Sequence, residues 1–281
     1  MVTVDVHVHP LVREIFERES ELPSCVRRVF GFGVDPQPLE TLLGEMDSSG
    51  IDRAVLLALD CRTSHNCFIP SNESVAELVE RYPERFTGFA SVDPRVEGAA
   101  DTLRDAVSSL GLKGVKLNPI LQGFAPNEKL AYPIYETAQK LGVPVLFHAG
   151  MTWTTVGRME PGNPLLLDAV ASDFPKLKII IAHFGFPWVW ETFALSVRHP
   201  NVCVDIANTY TGTPLEHLKL VLTEMLPPRI LERFLMDRVL FGSDYPRMEP
   251  WKIVSAIEKL PFSTQLKKKI LGGNAAKLLG V

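Results

Sequence analysis

The sequence has 281 residues, of which 46% are hydrophobic and 22% charged, and its formal net charge is −4. This balance is typical of a globular protein, and the mild charge argues against a protein dedicated to nucleic acid or to anionic membranes. No basic leader precedes the first apolar run, and no apolar run approaches a membrane span, so we expect a cytoplasmic protein. Its four cysteines, Cys25, Cys61, Cys67 and Cys203, lack metal-binding spacing and are expected to be reduced thiols.

Short β-branched or apolar runs alternate with helix-like stretches along the whole chain. The runs that predict strands are 2–7, 54–59, 86–91, 112–117, 143–148, 178–183, 202–206 and 239–243. The stretches with apolar residues at three- and four-residue spacing, which predict helices, are 39–49, 74–82, 99–110, 132–141, 165–174, 189–197, 215–226 and 253–260. This order predicts an α/β protein with a parallel sheet.

Eight strand–helix units predict a (β/α)8 TIM barrel, somewhat distorted, with residues 1–281 forming one domain. A doubly wound open sheet is the competing fold. It would usually carry a glycine-rich turn after the first strand, where this chain has His7-Val8-His9-Pro10. An insertion at about 11–36 is predicted to form a loop or flap over the strand ends, and an extra C-terminal helix is predicted at 264–279.

Polar side chains end several of the predicted strands, and the C-terminal strand ends of a barrel meet at one mouth. These residues are His7, His9, His148, His183 and Asp244. His7 and His9 are two apart on a strand, so both project from one face and can reach the same ion. A lone histidine at such a position is more often a hydrogen-bonded core residue. Five polar residues at one end do not stabilise an apolar barrel, so their presence together indicates a functional site.

Three histidines and one carboxylate are a ligand set that suits Zn²⁺ with a position left for water. We expect His7, His9, His148 and Asp244 to bind one zinc ion, and another divalent ion or a binuclear site would also fit these ligand types. Asp205 at the end of strand seven is expected to orient a ligating histidine. Asp5 lies one step deeper on strand one and is expected to support the site or the core.

Six segments of the chain resemble the motifs of the amidohydrolase superfamily. They are VDVHVHP, VLFHAG, IIIAHFGFPW, NVCVDIANTY, VLFGSDYPR and ILGGNAAKLLG, in chain order from strand one to the C-terminal helix. The resemblance is to the amidohydrolase-related branch, which includes aminocarboxymuconate-semialdehyde decarboxylase-like enzymes. It implies that His7, His9 and His148 bind metal. It also implies that Asp244 binds metal or handles a proton, and that His183 is catalytic, with a metal role open.

Lys116 ends strand four, where the resemblance places a carboxylated lysine that bridges two metals in binuclear members. The alternative is an ordinary ammonium that pairs with a carboxylate or binds a substrate anion. We favour the ammonium, because mononuclear sites are typical of this branch. Arg158 and Arg247 would grip a substrate carboxylate, or else lie in solvent as loop arginines. Trp188 would wall an apolar pocket or pack on its own helix.

Three functions fit these residues. The first is a hydrolase that uses a metal-activated water on an amide, lactone or related carboxylic derivative, with Asp244 accepting a proton and His183 stabilising the oxyanion. The second is a non-oxidative decarboxylase of an aromatic or muconate-type acid. The third is a non-catalytic metal-binding protein. We expect the hydrolase, with a small carboxylate-bearing substrate and a homodimeric assembly.

Overall fold

The computed structural model describes residues 2–31, 33 and 35–281. It contains every strand that the sequence predicts. The strands are β1 Val4–Val8, β2 Arg53–Leu57, β3 Phe86–Phe89, β4 Val115–Leu117, β5 Val145–Phe147, β6 Ile179–Ile181, β7 Val202–Asp205 and β8 Val239–Leu240. Almost all of their residues are buried, as expected for parallel strands that are covered on both faces.

The strands pair in parallel and in chain order, as β1-β2-β3 and as β4-β5-β6-β7-β8. Backbone hydrogen bonds connect these two sheets at both edges. Between β3 and β4, the Lys116 N–H donates to the Ala90 carbonyl at 2.7 Å. Between β8 and β1, the Val6 N–H donates to the Phe241 carbonyl at 2.9 Å, and the His9 N–H donates to the Tyr245 carbonyl at 2.8 Å. The predicted, somewhat distorted (β/α)8 barrel is therefore confirmed, with irregular pairing at its two seams.

Helices surround the strands. In the described part of the chain they are α1 Arg13–Arg18, α2 Leu22–Phe30, α3 Leu39–Ser48, α4 Arg62–His65, α5 Asn72–Arg81, α6 Ala99–Ser108, α7 Pro119–Gln122, α8 Tyr132–Leu141, α9 Leu167–Asp173, α10 Val189–Arg198, α11 Pro214–Lys219, α12 Pro228–Phe234, α13 Pro250–Lys259, α14 Thr264–Lys268 and α15 Asn274–Leu279. Each predicted helix is present within a few residues. The short helices α4, α7 and α12 were not predicted, because four to seven residues carry too little periodicity.

Two of the predicted helices contain a wider, π-helical stretch. Leu220–Met225 extends α11, and Lys269–Gly273 joins α14 to α15, which gives the predicted C-terminal helix over 264–279. None of the helices that the structure describes is long and apolar enough to cross a membrane.

The insertion after β1 is helical, so its prediction as a loop needs correction. In α2, Leu22, Cys25, Val26 and Val29 are buried, at the three- and four-residue spacing of an amphipathic helix. The helix ends at Gly31, whose φ of 75° is the left-handed conformation that glycine adopts easily. Its position over the strand ends is as predicted, since the Phe30 ring lies 6.0 Å from the His9 ring. Residues 32 and 34 of the insertion lie outside the described residues.

The core has two layers. Aliphatic side chains and one phenylalanine fill the barrel interior, and a larger layer lies between the strands and the helices. The interior residues are Val4, Val6, Val55, Leu57, Phe89, Leu146, Ile180, Ala182 and Leu240. Ala275 of α15 packs against this set. Beyond it, towards the C-terminal strand ends, the interior becomes polar, and this change marks the site.

Candidate metal centre

A cavity opens at the C-terminal ends of the strands, with about 580 Å³ of empty space that includes some open solvent. It is lined by His7, His9, Leu11, Phe30, Lys116, Asn118, Leu121, His148, Thr152, Trp153, His183, Asn208, Tyr210, Asp244, Pro246 and Arg247. All five predicted strand-end residues are therefore in one cavity, together with Lys116 and Arg247. Arg158 and Trp188 do not line it. Arg158 is exposed and Trp188 is half-buried at the start of α10.

His7, His9 and Asp244 form a compact group of possible ligands. His7 lies in β1 and His9 directly follows it, while Asp244 follows β8, the strand that joins β1 at the barrel seam. Each imidazole Nε2 lies 3.5 Å from Asp244 Oδ1. One ligand atom from each residue lies within 4.8 Å of the others. Two nitrogens and a carboxylate oxygen at this spacing are a donor set that fits a divalent ion of the zinc type.

Asp205 at the end of β7 holds two histidines in place. Its Oδ2 accepts a hydrogen bond from His7 Nδ1 at 2.9 Å, and its Oδ1 accepts one from the His183 N–H at 2.7 Å. Oδ1 also accepts from the Ala207 N–H at 3.0 Å. His7, His183 and Asp205 also place ligand atoms within 4.8 Å. Because both Asp205 oxygens are already hydrogen-bonded, however, we interpret Asp205 as orienting His7, whose Nε2 then faces the cavity.

His183 and His148 lie side by side on neighbouring strand ends. His183 Nε2 is 3.2 Å from His148 Nδ1, and His183 Nδ1 is 3.0 Å from the Ala207 carbonyl. His148 Nε2 is buried and has no partner among the described residues. Such an unsatisfied buried nitrogen is costly unless a ligand completes it. His183 itself has a φ of 58°, a left-handed conformation that is uncommon outside glycine.

Burial sets the protonation of these groups. It lowers the pKa of His7, His9 and His183 well below the usual range, and lowers that of His148 to about 3. Positive charge on Lys116 acts in the same direction at each of them. The imidazoles are therefore neutral at pH 7, which is the form that binds metal. Burial also raises the pKa of Asp244 to about 7, against the opposing effect of Arg247.

Two cationic side chains line the same cavity. Lys116 is 1% exposed, and its Nζ lies 3.2 Å from His7 Nε2. Burial lowers the pKa of Lys116 to about 8, while the charges of Asp205 and Asp244 oppose the decrease. Arg247 Nε is 3.8 Å from Asp244 Oδ2. Both cations therefore lie beside the possible metal ligands, where an anionic substrate would meet them.

Asp5 supports the barrel seam. Its Oδ1 accepts from the His7 N–H at 3.1 Å and from the Ser243 N–H at 2.9 Å, so it joins β1 to the turn before Asp244. Tyr210 and Phe30 also line the cavity, and the polar strand-end pattern does not predict either of them. Tyr210 lies five residues after the end of β7, at the same barrel end as the histidines, and this position is the one signal for it in the sequence.

Comparisons with known proteins identify the family of the chain and agree with its fold. A family model described as amidohydrolase matches residues 4–281, so the chain belongs to the amidohydrolase family. It is 27% identical over 242 residues to 2-amino-3-carboxymuconate-6-semialdehyde decarboxylase of Dictyostelium discoideum, a match that covers 75% of this chain and 65% of that protein. It is 26% identical over 291 residues to gamma-resorcylate decarboxylase of a Polaromonas species, covering 87% and 84% respectively.

A solved structure shows the same fold. The 5-carboxyvanillate decarboxylase of Sphingomonas paucimobilis superposes with a TM-score of 0.73 at 18% identity, covering 100% of this chain and 99% of that one. The family match and the two curated relatives confirm the resemblance to the amidohydrolase-related branch. The chain is an enzyme of the amidohydrolase superfamily, whose members typically depend on metal.

The prediction that the enzyme is a hydrolase was wrong. The curated relatives described above are decarboxylases, which was the alternative function. The physical reason for the error is that a metal held by histidines beside proton-handling residues serves both reactions. The motifs that predict the metal centre therefore do not separate hydrolysis from decarboxylation.

Proposed function

We propose that this enzyme is a metal-dependent, non-oxidative decarboxylase that removes CO₂ from an aromatic or muconate-type carboxylic acid. The observation that carries the proposal is that the two curated relatives, which match 75% and 87% of the chain, are both decarboxylases of carboxylic acids. The cavity supports it, since Lys116 and Arg247 lie beside the histidines and give an anionic substrate two cationic partners. One domain, formed by the whole chain, would carry the activity.

In this proposal His7, His9, His148 and Asp244 would hold one zinc ion. When bound, the ion would supply positive charge that orients the carboxylate or a neighbouring oxygen of the substrate. The unpartnered His148 Nε2 and the convergence of His7 and His9 on Asp244 support this ligand set. Lys116 would stay an unmodified ammonium and would bind the substrate anion together with Arg247.

The reaction would then break one carbon–carboxylate bond and transfer one proton from the protein to the substrate. The bond from the substrate carbon to its carboxylate breaks, CO₂ leaves, and the electron pair stays on the carbon. Asp244 or His183 would deliver a proton to that carbon and form the new C–H bond. Asp205 would keep His183 in position, because it binds the His183 N–H at 2.7 Å.

The test is to incubate the zinc-loaded enzyme with gamma-resorcylate and with 2-amino-3-carboxymuconate 6-semialdehyde in H₂¹⁸O. We expect release of CO₂ and a product that is shorter by one carboxylate, with no ¹⁸O in the product formed from gamma-resorcylate. Asp244→Asn and His183→Asn should each lower the rate by roughly 10³-fold, while Asp168→Asn, which changes a carboxylate bound to His199 outside the cavity, should leave it unchanged. CO₂ release that survives both active-site substitutions would contradict the proposal.

We also propose that the enzyme is a cytoplasmic homodimer. The four cysteines are unpaired, which suits a reducing compartment. A surface cluster of aromatic rings supports the dimer. Trp190 is 48% and Phe234 is 44% exposed, and their rings lie 5.7 and 6.1 Å from that of Phe193. Light scattering should give twice the mass of the chain, and Trp190→Ser should shift the particle towards the monomer.

A further inference from the structure

An aromatic stack forms part of the cavity wall beside the candidate metal centre. The Tyr210 and Phe186 rings are stacked, with centroids 5.6 Å apart and planes at 10°. Trp153 also stacks with Tyr210, at 6.0 Å and 28°, and is 51% exposed at the cavity mouth. His217 contacts the Tyr210 ring at 5.9 Å and 67°. These contacts fix the orientation of the Tyr210 ring before a ligand binds.

The buried hydroxyl of Tyr210 has no hydrogen-bond partner among the described residues. The Asn208 side chain is near enough to act on the pKa of this phenol, but the two groups do not meet in hydrogen-bonding geometry. The Asn208 side-chain oxygen instead accepts from the Thr209 N–H at 2.6 Å. A buried hydroxyl left in this state costs about 1–3 kcal/mol, so a ligand atom is its natural partner.

We propose that Tyr210 is a specificity-determining residue that donates its hydroxyl hydrogen to an oxygen substituent on the ring of the substrate. A phenol keeps its proton at neutral pH, since its ordinary pKa is about 10, so it acts as a donor. The substrate carboxylate has better partners in the cations of the same cavity, Lys116 and Arg247. A neutral donor in an otherwise aromatic part of the wall is suited to a neutral hydroxyl oxygen.

This arrangement would select hydroxylated aromatic acids over bare ones. A buried donor that pairs with a substrate oxygen is left unsatisfied by an analogue without that oxygen, and the site rejects the analogue for that reason. The exposed Trp153 ring would cover the substrate ring without contributing to this selection. The inference rests on the proposed function only for the class of ligand, an aromatic acid.

The experiment compares the binding of 2,6-dihydroxybenzoate and of benzoate to the zinc-loaded enzyme, in fluorescence titrations at low temperature and on a timescale of seconds. We expect the enzyme to prefer 2,6-dihydroxybenzoate by about 10-fold, the effect of one neutral hydrogen bond. Tyr210→Phe keeps the aromatic stack and should reduce this preference to less than about 2-fold without lowering the melting temperature. Trp153→Phe is the matched control, and it should weaken both ligands alike.

Two results would overturn the proposal. One is an enzyme that does not prefer 2,6-dihydroxybenzoate. The other is a Tyr210→Phe variant that keeps the full preference or weakens both acids equally, which would assign Tyr210 a structural role. The outcome is separate from that of the decarboxylation assay. A preference that Tyr210→Phe removes, without release of CO₂, would support the role of Tyr210 and refute the decarboxylase. Release of CO₂ by an enzyme that does not prefer 2,6-dihydroxybenzoate would support the decarboxylase and refute the role of Tyr210.

Discussion

Asp205 Oδ2 lies 2.9 Å from His7 Nδ1, and this hydrogen bond fixes which nitrogen of His7 faces the cavity. Both residues are fully buried; Asp205 ends β7, and His7 lies in β1, one residue before its end. Neutral His7 has one N–H, and donation of that hydrogen to Asp205 leaves the Nε2 lone pair for an ion. The metal centre should therefore depend on a carboxylate that does not itself bind metal.

Replacing Asp205 by asparagine should lower zinc affinity by about 10- to 100-fold, the usual effect of losing a carboxylate that orients a ligating histidine. The measurement is a competition titration with a fluorescent zinc chelator. Asp168→Asn is the control, because Asp168 Oδ1 lies 2.7 Å from His199 Nε2 in a second, part-buried histidine–carboxylate pair outside the cavity. Equal zinc affinities for wild type and Asp205→Asn would show that His7 needs no such partner.

The chemical state of Lys116 distinguishes a mononuclear from a binuclear metal site. An unmodified ammonium predicts about one zinc per chain by elemental analysis, both in wild type and in Lys116→Met. The same substitution should weaken the binding of benzoate by roughly 10-fold, because it removes a buried cation from the cavity. Two zinc ions in wild type, with one lost in Lys116→Met, would instead identify Lys116 as a bridging, carboxylated ligand.

Much of this barrel follows from residue patterns that act locally. Each strand is a short apolar run between helical periodicities, and the polar side chains of His7, His148 and Asp244 stand out because they interrupt those runs at one end. What lies near them depends on tertiary contacts. The sequence predicts that Asp205 orients a histidine, but Asp205 also binds the backbone N–H of His183, a residue with a left-handed backbone that no local pattern predicts.

Loops were the least predictable part of the site. The insertion forms α2 instead of a loop because its apolar residues lie on one helical face, a pattern that its charged residues obscure. The loop after β5 carries both Trp153, which reaches the cavity, and Arg158, which does not. These two residues are only five positions apart. The segment between them is irregular and has no periodicity from which the direction of a side chain can be predicted.

His217 should make stability depend on pH. It packs against Phe186 and Tyr210, and burial lowers its pKa to about 4. The unfolded chain, with an ordinary histidine pKa of about 6.5, binds the proton more readily, so stability is complete above about pH 6.5 and is lost as the pH falls towards 4. This contribution should amount to about 2 kcal/mol between pH 7 and pH 4.5.

Urea unfolding of wild type and His217→Gln over this pH range would measure the contribution. Glutamine does not titrate, and its amide can still pair with the Thr211 hydroxyl, which lies 3.1 Å from His217 Nδ1 in the wild type. The two curves should therefore differ in slope below pH 6.5. Parallel curves would mean that His217 is not protonated on unfolding, and that other groups cause any acid sensitivity.

Gly150 holds the loop after β5 in place, two residues beyond His148. Its φ is +94°, and a Cβ at this position would clash with the Phe186 carbonyl oxygen. Gly142, at the end of α8, has a similar φ of +71° but has open space where a Cβ would lie. The two glycines therefore share the backbone requirement, and only Gly150 adds a steric one.

Gly142→Ala should lower the free energy of unfolding by about 1 kcal/mol, the ordinary effect of a non-glycine residue in the left-handed region. Gly150→Ala should lower it by roughly 3 kcal/mol or more, because the Phe186 backbone has to move as well. That movement would shift the loop that carries His148, so zinc affinity should fall in Gly150→Ala and stay constant in Gly142→Ala. Urea unfolding measures the loss of stability, and the zinc competition titration measures the loss of affinity. Equal losses of stability in the two variants would show that the close approach of Gly150 to Phe186 does not contribute to stability.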